Sequence, residues 1–270
     1  MMGAVYQNVI VPSDGTLEGR SALAPAADLA WRCGARVVNV SNTDLSDKSS
    51  KAAVKGHAIA QSAADVEFWV DLENDLPVAA LAAAQYRANP IFCVPSPAPR
   101  GRLGRRRNAL APVALEVATR AEAAVVVIGP VVDVARGLPM TEIVAVLDGL
   151  DGSDELVVLA EQWAQVFKLR LVLTAVAGPG SVDNRATQQH YLEQRAAGRQ
   201  APGGVDVELV QGDDAVAGLA ELLTEHENCI AMMPPTPVGT APDALAVEVI
   251  SRSRRAVVLP RGLIPETPIS

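Results

Sequence analysis

Two aspartates hold matching places in two segments built alike. Asp14 lies in VIVPSDG (residues 9–15) and Asp148 in IVAVLDG (143–149), 134 residues further on. A carboxylate at the end of an apolar run can accept hydrogen bonds from a ribose or an adenine. The same residue type also caps helices and turns chains on its own account, so both readings stand. A second feature is the loop RGRLGRRR, Arg100 to Arg107, with five arginines in eight positions of a chain whose net charge is −8. Guanidinium forks bind phosphate bidentately. Such a loop suits an anionic ligand or an acidic partner surface, or is simply a solvated segment. Other chemistries lack their parts. Cys33, Cys93 and Cys229 have no CxxC spacing, and His57, His190 and His226 have no HxxH or HExxH spacing, so no metal is expected. Ser13 has no G-x-S-x-G context. With no nucleophile–base pair and no paired carboxylates to assemble, the chain is expected not to be an enzyme.

The elements that must position these residues come in duplicate. After each Asp-Gly follow a helical stretch and a Val/Leu-rich run, RVVNV at 36–40 and LRLVLTAV at 169–176. Each half closes on a short Val run, AVVVI at 124–128 and AVVLP at 256–260. A period near 133 residues means two copies of one domain rather than a solenoid, whose repeats run roughly 20–50 residues. We place the domains at 1–135 and 136–270, joined through GPVVDVARGLPMTE at 129–142. Within each, strands alternate with helices and are continuously apolar, which predicts a parallel sheet covered on both faces. The fold class is α/β, two tandem doubly wound domains of five strands each. The first helix is expected from Leu17 to Cys33, ended by Gly34. Trp31 and Trp163 take similar places on the first helix of each copy and read as core or domain-contact residues.

Composition bounds the function. Only 3% of the residues are aromatic, so aliphatic side chains must build the cores. The acidic balance argues against a general nucleic-acid binder. No uncharged run reaches the roughly 18 residues of a membrane span. An odd cysteine count and no signal-like start point to a cytoplasmic protein.

At VPSDGT (11–16), VLDGLDGS (146–153) and the duplicated strand order, the chain resembles the universal stress protein family over nearly its whole length. The resemblance implies Rossmann-like domains, related to the adenine nucleotide alpha hydrolases, with strand order 3-2-1-4-5. It implies cofactor contacts at Asp14 and Val40 in the first half and at Asp148 and Val176 in the second. It further implies that the last strands pair with each other within one chain, with a homodimer and an unknown protein partner as further expectations. In the nucleotide-binding branch, the fourth strand runs into Gly-x-x-Gly, and Gly-Ser opens the last helix. There glycines and a helix N-terminus cradle phosphates. This chain has Pro95-Ser96-Pro97-Ala98 and Ala111-Pro112 at those places in the first half, and Pro234-Pro235 and Asp243-Ala244 in the second. Proline has no N–H to offer, and a carboxylate at a helix start repels phosphate. Gly101 and Gly104 make a GxxG six residues past the family register, with Arg105 beside them. The expectation is a stress-related regulatory or binding protein, non-catalytic, with weak or no ATP binding and no cofactor. The alternative is an ATP or AMP sensor using Asp14 and the Arg100–Arg107 loop. A hydrolase of the wider superfold would need an SGGxDS-type loop that SDGT does not supply.

Overall fold

Apolar runs that continue through a strand leave no solvent face, so both sides must be covered. That is how the first half is built. NVIVP, RVVNVS and PIFCVP form β1 (Asn8–Pro12), β2 (Arg36–Ser41) and β4 (Pro90–Pro95), with β3 (Val66–Val70) outside them and β5 (Val125–Ile128) beyond β4. The second half repeats this with β6 (Glu142–Leu147), β7 (Arg170–Ala177), β8 (Val205–Gln211), β9 (Cys229–Met232) and β10 (Val257–Leu259). The computed structural model describes residues 6–14, 16, 20–43, 65–96, 110–147, 153–177, 182–211 and 214–261. The described strands make one ten-stranded sheet in the order β3-β2-β1-β4-β5-β10-β9-β6-β7-β8. Each half is parallel in the order 3-2-1-4-5, so the tandem doubly wound class expected from the sequence is the one observed. The halves meet where β5 and β10 pair antiparallel, Val257 opposite Val127 and Leu259 opposite Val125.

Helices cover both faces. On one face lie α1 (Leu23–Cys33), α4 (Ser153–Phe167) and α5 (Val182–Ala196). On the other lie α2 (Leu76–Gln85), α3 (Pro112–Arg120), α6 (Ala215–Glu225) and α7 (Ala244–Arg252). Each face carries one buried apolar cluster, and each cluster runs through both halves of the chain. The connection is packed too. Asp133 caps a short 3-10 turn at Val134–Arg136 by accepting from the Ala135 amide at 3.2 Å, and the Leu138 amide donates to the Asp28 carboxylate on α1 at 2.6 Å. Just after β5, a Cβ on Gly129 would stand 2.2 Å from the Ile250 carbonyl oxygen of α7, so only glycine allows the two halves to close here.

Two expectations are corrected. The first helix begins at Leu23 and not at Leu17. Pro25 explains it: within the first turn its missing N–H costs nothing, whereas inside a helix begun at Leu17 it would break the ladder. Nor are the two tryptophans equivalent. Trp163 is buried and meets Tyr6 edge-on, ring centroids 5.9 Å apart, and Phe167 at 5.0 Å, whereas Trp31 is 66% exposed on α1. Tyr6 belongs to the first half, so this aromatic cluster ties the halves together. Burial pushes the pKa of its phenol up, against the hydrogen bond that the Trp163 indole donates to it. Trp163→Ala is expected to cost about 3–5 kcal/mol by chemical denaturation, and Trp31→Ala about 0.5 kcal/mol or less. Equal losses would contradict this arrangement.

Candidate functional site

In a doubly wound sheet the ligand crevice lies beyond the carboxyl ends of the strands, where the strand order reverses. In the first half that point is between β1 and β4. Asp14 is exposed there, but its Oδ1 already accepts from the Thr16 amide at 3.0 Å and the Thr16 hydroxyl at 2.6 Å. It is the turn residue that leads the chain off β1. Val40 is fully buried among the side chains that face α2 and α3, and its carbonyl accepts from the Ser13 amide at 2.8 Å. Gly101, Gly104 and Arg105, with the rest of the arginine loop, lie outside the described residues.

The start of α3 is where a phosphate would meet a helix N-terminus. The Ala111 amide instead donates to the hydroxyl of buried Ser96 at 3.1 Å, and Pro112, the first helical residue, has no N–H. Ser96 is itself fixed to β5 by its amide, which donates to the Ile128 carbonyl at 2.8 Å. Ser96, which the sequence places between the lost glycine positions Pro95 and Ala98, is thus the group that takes the amide just before the helix. No alignment with a motif reveals it, because its partner stands 15 residues on.

The second half closes the matching position by other means. Asp243 caps α7, accepting from the Ala246 amide at 2.6 Å. Asp148 lies outside the described residues. Val176 is half-buried and faces Val210 of β8. By register, Pro12 lies opposite Val40 and Val146 opposite Thr174, so the counterpart of Val40 is Thr174. That residue is fully buried, and its hydroxyl has no hydrogen-bond partner among the described residues.

The cysteines are structural. Burial pushes the Cys33 thiol up to about 11 and Cys229 up to about 12, and Cys93 is raised as well, so none offers a thiolate near neutral pH. Among the described residues no group of three or more His, Cys, Asp or Glu side chains is placed to hold a metal, and no helix is long and apolar enough to cross a membrane.

Sequence spacing missed a charged cluster at the amino ends of β6, β7 and β8. His226, the C-cap of α6, bridges two carboxylates, with Nδ1 2.5 Å from Glu142 and Nε2 3.2 Å from Glu208. Arg170 joins Glu142 at 2.9 Å and Asp206 at 2.5 Å. Burial lowers the imidazole's affinity for its proton, but the hydrogen bonds and charges of the two carboxylates outweigh it and raise the pKa. Burial acts to raise Glu142, and its bonds to His226 and Arg170 reverse this and lower it. His226 and Glu142 are 84 residues apart, which is why spacing rules could not join them.

The fold is that of tandem universal stress proteins. The chain is similar to a universal stress protein from Archaeoglobus fulgidus at 17% identity, with a TM-score of 0.65 over 94% of this chain and 98% of that one. It is also similar to a functionally unknown protein from Pseudomonas aeruginosa at 13% identity, with a TM-score of 0.62 over 95% and 93%. A third likeness is to the cytoplasmic domain of a prokaryotic cation chloride cotransporter, at 14% identity and a TM-score of 0.51 over 94% of each chain. At these identities the likeness is one of fold. No protein-family model matches the chain, and no curated protein matches it.

The His226 cluster makes stability depend on pH in a definite direction. A raised histidine pKa stabilises the fold fully below the unfolded value of about 6.5, and that share is lost as pH rises through the folded value. The lowered Glu142 contributes above its unfolded value of about 4.3 and loses its share as pH falls through the folded one. His226→Gln should therefore cost most between about pH 5 and pH 6, on the order of 1–3 kcal/mol, and least near pH 9. Urea midpoints measured across that range check it. A cost that does not vary with pH would mean the histidine is not charged in the fold.

Proposed function

We propose that the chain is a universal stress protein-like regulatory or binding protein, non-catalytic, that binds ATP weakly or not at all. One observation carries this reading: at both helix starts the protein itself removes or occupies a donor that a phosphate would use. In the first half the buried Ser96 hydroxyl takes the Ala111 amide and Pro112 supplies no donor. In the second the Asp243 carboxylate takes the Ala246 amide. A phosphate entering the first site must displace a buried hydrogen bond, and one entering the second must approach a fixed negative charge. Asp14 points the same way, since its contacts to Thr16 are those of a turn residue.

Function then rests on surfaces rather than on turnover, and a protein partner is the natural counterpart. Two titrations test the reading. ATP and AMP added to the purified chain should give no saturable heat at micromolar concentration, and the protein should be isolated without bound nucleotide. Stoichiometric nucleotide released on denaturation would overturn it. Separately, Asp243→Ala should destabilise the fold by about 1 kcal/mol, the ordinary value of a lost helix cap. If the aspartate were held for a ligand, its removal would leave stability unchanged or raise it.

A further inference from the structure

The antiparallel seam delivers an arginine to a place no nucleotide crevice occupies. Because β10 runs against β5, Arg261, two residues beyond it, arrives at the amino ends of the first-half strands. There it lines a cavity of about 430 Å³, within the range of small-molecule pockets. Arg87 and Arg120 share the wall, and Tyr6, Phe92 and Ala123 supply apolar surface. The three arginines are not in the same state. Arg87 bridges Glu67 and the Ala83 carbonyl, and stacks over Trp69 at 4.7 Å. Arg120 pairs with Glu116 at 2.7 Å. Arg261 has no carboxylate partner among the described residues. Its Nη1 donates to Thr236 and Pro237, at 2.7 Å to the Thr236 hydroxyl. Its Nε and Nη2 are screened from solvent and have no partner among the described residues.

A guanidinium stays charged, and donors that reach neither water nor an acceptor cost free energy. Glu122 also lies on the wall and forms no ion pair with Arg261. We propose that this pocket is a binding site for a small organic oxyanion, a phosphate monoester or a carboxylate, whose charged head pairs with Arg261 and whose apolar body lies against Phe92 and Ala123. Shape agrees with charge: the wall joins guanidinium donors to an aromatic and aliphatic floor, which suits a ligand with one polar end. The site is independent of the crevice above β1 and β4, from which it is separated by the length of the strands.

Calorimetric titration of the full chain with phenyl phosphate and with benzoate tests it, and the tighter of the two identifies the oxyanion. Saturable binding in the millimolar range or tighter is expected from at least one. Arg261→Gln should weaken it by about tenfold or more, whereas Asp14→Asn, in the upper crevice, should leave it unchanged. Ala123→Leu, which narrows the pocket while keeping Arg261, should weaken binding too and guards against a fold defect in the arginine variant. Glu266 follows Arg261 by five residues in the sequence and lies outside the described residues, so a Glu266→Gln chain separates a free ligand from the protein's own carboxylate. Binding is expected there unchanged, and binding seen only in that chain overturns the assignment. No saturable heat from either probe, or heat indifferent to both Arg261→Gln and Ala123→Leu, also overturns it.

Discussion

Four residues of β5 and three of β10 join the two halves, and much else follows from that short antiparallel contact. A parallel sheet of five strands ends in an apolar edge with unpaired amides, which must be covered or paired. Here each half supplies the other's cover: Val125 to Ile128 and Val257 to Leu259 are all buried. Antiparallel pairing also sets direction. The carboxyl ends of β1 to β4 and those of β6 to β9 lie at opposite ends of the ten-stranded sheet, so the two crevices inherited with the fold face away from each other. The same reversal carries each half's last residues to the amino ends of the other. Arg261 closes a pocket beneath the first half, and Val131 and Asp133 border one of about 530 Å³ beneath the second.

The self-closed helix ends obey the same economy of polar groups. A helix N-terminus near a buried strand end cannot leave its amides unsatisfied. In this chain Ser96 takes the amide just before α3 and Pro112 removes a donor in one half, while Asp243 caps α7 in the other. The two solutions differ in charge. A hydroxyl adds no charge at the first helix start, and a carboxylate makes the second repulsive to anions. The halves keep one scaffold and treat the corresponding helix start differently.

How far the sequence was legible follows from the range of the interactions. Strand identity and order could be read because continuous apolar runs such as NVIVP and PIFCVP admit only a doubly covered sheet, and the resemblance supplied the 3-2-1-4-5 order. Loss of phosphate donors at Pro112 was legible because proline lacks an N–H wherever it stands. What could not be read depends on contacts distant in sequence. Ser96 finds its partner only in Ala111, and the His226 pKa is raised only beside Glu142 and Glu208. Periodicity misjudged Trp31 because an 11-residue helix holds a buried and an exposed position within two residues: Leu29 is fully buried and Trp31 is not.

Register shows which polar interactions the duplication preserved. Val38 faces Glu67 across β2 and β3, and Val172 faces Asp206 across β7 and β8, so the two acids are counterparts. Each pairs with the arginine that opens the neighbouring strand: Arg36 with Glu67 at 3.6 Å, and Arg170 with Asp206 at 2.5 Å. A cross-strand ion pair on a partly exposed edge contributes little by itself, so its value here is in holding register between the second and third strands. The cation that follows the next helix has diverged. In the first half it is Arg87, charged at any pH the fold survives and stacked on Trp69. In the second it is His226, whose charge depends on its carboxylates. The same structural demand, a cation against the acids at the sheet's outer end, is thus met permanently in one half and conditionally in the other. The second half is the one whose outer strand loses part of its anchorage as pH rises, an asymmetry that the matched backbones conceal.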